Sequence, residues 1–205
     1  IYAAKGRPSF NPLIVHLSAT DAVADYVDMT PQARKLADAF WPGALTLVLP
    51  IKADAKVSKL VTAGLQSLAV RVPEHPVAAR VLSSFGGPIA APSANPSGRI
   101  SPTTAVHVRA GLDGRIDGIV DGGACGVGVE STIVSCVGAP TLLRAGGIPV
   151  DAIEACLGTA LLQTQAAQWL ANLIVAWFGL NQLPAFAIVA ILAAFLIIVH
   201  LGFAS

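Results

Sequence analysis

The spacing of apolar and polar positions changes several times along the chain, and each change marks an element. Leu13 to Leu17, Ala44 to Leu49, Ser67 to Pro73, Pro88 to Ala91, Ile133 to Ser135 and the stretch from Pro140 are short apolar runs bounded by Gly, Pro, Asn or Ser. Such runs predict strands. Helical spacing predicts helices from Ser18 to about Tyr26, Gln32 to Phe40, Pro76 to Phe85, after Ser101-Pro102-Thr103-Thr104 to about Ala110, and Val150 to Leu157. Thr30-Pro31 supplies a cap and a proline at the favoured first helical position, and Gly86-Gly87 a stop. Gly118 to Gly123 reads as a short strand and turn. Ile1 to Lys5 reads as the last turn of a helix ended by Gly6, so residues ahead of Ile1 are expected. Short strands alternating with helices predict an α/β or α+β domain with a mixed sheet.

The pattern then loses its polar component. Trp169 to Leu180 is apolar except for Asn172, Asn181 to Pro184 reads as a turn, and Ala185 to Val199 is apolar throughout. Ala185 to Phe203 as a helix would be about 28 Å long, close to the roughly 30 Å of a bilayer's hydrocarbon core. Residues 160–205 are therefore expected to form an apolar helical hairpin that enters a membrane, after a globular domain over residues 1–157.

Charge sharpens this division. The 205-residue chain has a formal net charge of +1, which gives no global field favouring nucleic acid. Every Asp, Glu, Lys and Arg lies at or before Glu154. The hydrophobic fraction of 54% and the mean hydropathy of +0.68 are thus averages over two unlike parts. Cys125, Cys136 and Cys156 form no Cys-x-x-Cys, so neither a disulfide framework nor a metal site is predicted.

Candidate chemistry centres on Ala91-Pro92-Ser93-Ala94-Asn95-Pro96-Ser97-Gly98. The prolines stiffen the loop, and Ser93 and Asn95, two residues apart, present uncharged donors suited to phosphate oxygens. Taken alone, an ordinary polar turn explains the same residues. Lys5 and Arg7 flank Gly6 and suit a polyphosphate, or simply complement a helix C-terminus. His16 sits in an apolar run, where a core role is the simpler reading. Arg71, a lone charge on its run, belongs at an edge or in a ligand cleft. The Gly126 to Thr132 stretch would let backbone N–H groups approach an anion, although it lacks the spacing of the known nucleotide loops.

The motifs are more specific together. Lys5-Gly6-Arg7-Pro8, Asn11 to His16, Phe40-Trp41-Pro42-Gly43 to Val48, Arg71-Val72-Pro73-Glu74-His75-Pro76, Ala91 to Gly98, Glu130-Ser131-Thr132-Ile133-Val134 and Leu142-Leu143-Arg144-Ala145-Gly146 resemble, in this order, the threonylcarbamoyl-AMP synthase or YrdC family. The resemblance implies a twisted mixed sheet with surrounding helices and a concave nucleotide cleft. It also implies a cytoplasmic nucleotidyltransferase that makes threonylcarbamoyl-AMP and pyrophosphate from L-threonine, bicarbonate and ATP. Its product would pass to a tRNA-modifying transferase complex, and RNA, including double-stranded RNA, would be a further partner.

Carried over by motif, Lys5, Arg7, Asn11, Ser67, Ser93, Asn95, Ser101 and Arg144 would surround ATP. His16, Arg71, Ala91 through its backbone, and Ser131 would surround threonine and the carbamate. Lys5, Arg7, Ser93 and Asn95 would stabilise the transition state, with no covalent nucleophile and no protein metal site. Mg²⁺ would arrive with ATP. The resemblance also implies a missing N-terminal strand and helix that help bind threonine. The apolar tail falls outside the family pattern and resembles part of an anion:sodium symporter. A binding module without turnover, or an inactive membrane-anchored fragment, are the alternatives.

Overall fold

Alternate residues of the central strands divide between a fully covered and a half-open face of one sheet, and this division creates the cleft. The computed structural model describes residues 1–163. Helix α1 (Tyr2–Lys5) leads to β1 (Ile14–His16), a 3₁₀ turn (Asp21–Asp25), α2 (Pro31–Phe40) and β2 (Leu45–Pro50). Then come α3 (Lys59–Thr62), β3 (Ser67–Arg71), α4 (Pro76–Phe85), β4 (Ile89–Ala90) and α5 (Ala105–Leu112). β5 (Thr132–Ser135), β6 (Thr141–Arg144), α6 (Val150–Leu157) and β7 (Leu162–Gln163) complete the order. The strands are arranged β4-β1-β3-β2-β5-β6-β7. β1–β3 and β2–β5 pair in parallel, and β1–β4, β2–β3 and β5–β6 antiparallel, so the sheet is mixed as predicted.

The caps follow from sequence. Thr30 accepts a hydrogen bond from the Ala33 N–H at the start of α2, and Thr104 one from the His107 N–H at the start of α5. Gly6 ends α1 at φ 61°, a left-handed conformation that glycine adopts without a Cβ clash.

Val15, Leu47, Leu49, Leu68, Val70 and Val134 point to the covered face and form the core with Val23, Val27, Ala33, Leu36, Ala37 and Ile153. Helices α2 and α6, the 3₁₀ turn and Val27 just after it supply those covering residues. The intervening residues Ile14, His16, Ser67, Ala69, Arg71, Ile133 and Ser135 are only partly buried, which is the signature of the other face.

Three expectations are corrected. Ser18 to Tyr26 is not an α-helix: the Val23 N–H bonds to Thr20 O and the Tyr26 N–H to Val23 O, the i→i+3 pattern that a single short turn favours. Gly118 to Gly123 forms no strand; its Val120 is 73% exposed, and no neighbouring strand pairs with it. Residues 160–163 do not begin a helix, because Leu161 enters the core and Leu162–Gln163 form β7. Helix α3 was not predicted, although Ser58 caps it by accepting from the Leu60 N–H.

The compact unit that holds the cleft runs from Ile1 to Leu162. The rest of the expected apolar hairpin lies outside the described residues. Among the described residues no helix is long and apolar enough to cross a membrane.

Candidate active site

A cavity of about 260 Å³ lies over the half-open face, lined by Ile14, His16, Arg71, Ala91, Ser93, Ser101, Glu130, Ser131 and Arg144 among others. The sheet and three loops converge here. His16 and Arg71 are register partners on the parallel strands β1 and β3. Ala91 continues β4, where its N–H bonds to Ile14 O at 2.9 Å, so its carbonyl is the backbone group left to face a ligand. Ser131 and Arg144 come from the β5–β6 hairpin.

The polar groups are fixed by one another. The Arg71 Nε donates to Gly43 O at 2.9 Å, which aims the two remaining guanidinium nitrogens at the cavity. The Ser131 hydroxyl, 4% exposed, lies 2.8 Å from the Thr46 hydroxyl on β2. Arg144 donates from Nε and Nη2 to Ser131 O at 3.0 and 2.8 Å, and from Nη2 to Ser131 Oγ at 3.0 Å. Its Nη1 pairs with the Glu130 carboxylate, whose other oxygen accepts from the Ser101 hydroxyl.

The Ser93–Asn95 loop is anchored from below. The ammonium of Lys5, 6% exposed, donates to Ser93 O, Asn95 O and Asn95 Oδ1. Asn95 Nδ2 donates to Arg99 O at 2.6 Å, and the Ser97 N–H to Lys5 O at 2.8 Å. The end of α1 and the proline-bounded loop are thereby one assembly.

Burial and, after it, neighbouring cations set the electrostatics. Burial, then the neighbouring Arg71, lowers the pKa of His16 to about 4, so its ring is neutral near pH 7. Its Nδ1 is buried without a hydrogen-bond partner among the described residues. Burial and Arg144 lower the pKa of Arg71, opposed by Glu130. Burial and Arg7 lower that of Lys5, again opposed by Glu130. A site that pushes several cations toward neutrality is prepared for an anion. Among the described residues no group of three or more His, Cys, Asp or Glu could hold a metal ion. Cys136, pushed up to about 11 by burial, is an unreactive core thiol.

Of the residues proposed from sequence, His16, Arg71, Ala91, Ser93, Ser101, Ser131 and Arg144 line this one cavity. Lys5 and Asn95 adjoin it through Ser93. Arg7, Asn11 and Ser67 are not among its lining. Arg7 Nη2 donates to Pro12 O at 2.9 Å. Ser67 shares the face of Arg71 but stands about 13 Å further along β3. Sequence reasoning missed Glu130 and Thr46 as site residues. A carboxylate directly before Ser131 in a Gly-rich loop was the available signal for the first, and Thr46 lies inside an apolar strand that offers none.

The Sua5/YciO/YrdC family, described as telomere recombination, matches residues 1–146. Threonylcarbamoyl-AMP synthase of Bacillus subtilis is 56% identical over 160 residues, covering 77% of this chain and 46% of the relative. The Pyrococcus abyssi protein of the same name is 46% identical, with 77% and 46% covered. The chain thus spans about half the length of the curated relatives it matches. The crystal structure of P. abyssi Sua5 complexed with L-threonine superposes with a TM-score of 0.75 at 44% identity, covering 78% of this chain and 47% of that one.

Proposed function

The chain belongs to the Sua5/YciO/YrdC family, and on that footing we propose that its cleft forms threonylcarbamoyl-AMP from L-threonine, bicarbonate and ATP. The observation that carries this reading is the single cavity in which His16 and Arg71 face Ser93, Ser101 and Arg144. One side suits an amino acid and the other a polyphosphate. The relative solved with L-threonine supports the first assignment.

The threonine carboxylate pairs with the Arg71 guanidinium, already oriented by Gly43 O. Neutral His16 and the hydroxyl of Ser131 hydrogen-bond the polar groups of threonine. The amine and bicarbonate give a carbamate with loss of water. A carbamate oxygen then attacks the α-phosphorus of ATP, and the bond to the pyrophosphate oxygen breaks. The residues do two things in this step: they align the short-lived carbamate, and they place donors where phosphate charge grows. Ser93, Ser101 and Arg144 supply the donors, with Lys5 and Asn95 holding the loop. No side chain is required as a covalent nucleophile.

Mg²⁺ with ATP would neutralise phosphate charge. Glu130 is the one carboxylate among the residues lining the cavity, so phosphate oxygens and water would supply most of its ligands. Cytoplasmic placement and delivery of the product to a tRNA-modifying transferase belong to the same proposal.

The test is pyrophosphate release from ATP. Release that requires both threonine and bicarbonate is expected, and release indifferent to threonine would overturn the assignment. ATP or RNA binding with no pyrophosphate formed would make this chain a binding module.

A further inference from the structure

Glu130 places a negative charge at the point where the proposed ATP site offers its donors. One carboxylate oxygen accepts from Ser101 Oγ and the other from Arg144 Nη1. Both donors are the ones assigned to ATP. Arg144 has five N–H groups, and Ser131 takes those on Nε and Nη2. With Glu130 in place, a single Nη1–H remains without a protein acceptor among the described residues. A ligand phosphate cannot therefore collect both Ser101 and Arg144 while Glu130 holds them.

We propose that Glu130 is a resident counter-anion of the cleft: its carboxylate occupies a phosphate position, and an incoming phosphate must displace it. The chemistry is a like-for-like exchange, since carboxylate and phosphate oxygens accept from the same hydroxyl and guanidinium donors. The surroundings permit it. The Arg144 and Glu130 side chains are 34% and 41% exposed, so the displaced carboxylate turns into water rather than into the core. The backbone does not need to follow, because Glu130 O is held by the Gly147 N–H at 2.8 Å. The side chain swings on a fixed support. A resident anion also offsets the repulsion of Arg71 by Arg144 and of Lys5 by Arg7, and weakens ligand binding in return.

The inference rests on the synthase reading, and calorimetric titration of the full chain with MgATP separates the two. Glu130→Gln is expected to bind ATP about three- to tenfold more tightly than wild type, since one exposed ion pair no longer competes. In a Ser101→Ala background that gain should shrink, because part of it comes from releasing Ser101. Glu130→Asp, which keeps the charge but is too short to hold both donors, should fall between Gln and wild type. It also serves if the Gln variant does not fold. Unchanged or weaker ATP binding by the variants would overturn the inference alone and would make Glu130 a support for Arg144. A gain undiminished by Ser101→Ala would also overturn it, as a mere change of net charge. Failure of the wild-type chain to bind ATP would overturn the synthase reading and this inference together.

Discussion

His16 and Arg71 stand opposite each other in register on two parallel strands, both on the half-open face of the sheet. Burial first, and then the guanidinium on an adjacent strand about 4.8 Å away, discourage a positive charge on the imidazole. The pair therefore offers a ligand one cation and one neutral ring.

Stability should depend on pH through His16. Its folded pKa of about 4 lies below the ordinary histidine value of 6.5. Between these values the unfolded chain binds more protons, so stability is complete above about pH 6.5 and is lost as the pH falls toward 4. The loss is on the order of 3 kcal/mol, at 1.36 kcal/mol per pKa unit. Urea midpoints for wild type and His16→Gln from pH 7.5 to 4 check this: the variant should show a shallower decline, and parallel curves would refute it.

Arg71→Lys should not restore what Arg71→Ala loses. The Gly43 carbonyl fixes the Arg71 Nε while the outer nitrogens remain for a carboxylate, and an ammonium cannot serve both. Threonine affinity is expected to fall by about 1.5–3 kcal/mol in either variant, as for a lost hydrogen bond to a charged group. Titration with threonine measures it.

Lys5 should contribute stability as well as charge. Replacing it with Met leaves the Ser93 and Asn95 carbonyls without their buried donor. A loss of about 1–3 kcal/mol follows, seen as a lower urea midpoint with an unchanged slope. No change in the midpoint would mean that the loop is held by its prolines alone.

The position of a C-terminal cut should matter by a few residues. A chain ending at Gln163 keeps Leu161 in the core and its N–H on the Glu154 carboxylate at 2.9 Å. A chain ending at Gly158 loses both, and about 2–4 kcal/mol is expected to go with the burial and the hydrogen bond. Thermal unfolding of the two chains compares them directly.

Much of this was legible in the sequence where a local signal was complete. Helices α4 and α6 run over the residues predicted, because proline or a short turn starts each and glycine ends it. The loop around Ser93 and Asn95 was legible as a site because its prolines and donors are adjacent. Glu130 was not, since its role depends on Ser101 and Arg144, which arrive from other parts of the chain. Nor was the anchoring by Lys5, whose charge alone suggested solvent or phosphate rather than buried carbonyls. Gly118 to Gly123 misled because apolar residues between glycines resemble a strand wherever no partner is considered.

The cleft is also assembled from segments far apart in the chain. Lys5 meets Asn95 across 90 residues, and Thr46 meets Ser131 across 85. On a ribosome the chain emerges from its N-terminal end. His16 and Arg71 of the amino-acid side can be in place before the β5–β6 hairpin exists, but Ser131, Arg144 and its carboxylate partner come last. A nascent chain should therefore be unable to hold ATP until β6 has left the exit tunnel. Ligand cannot stabilise partly made chains, and its protection begins only when the sheet that bears the cleft is nearly complete.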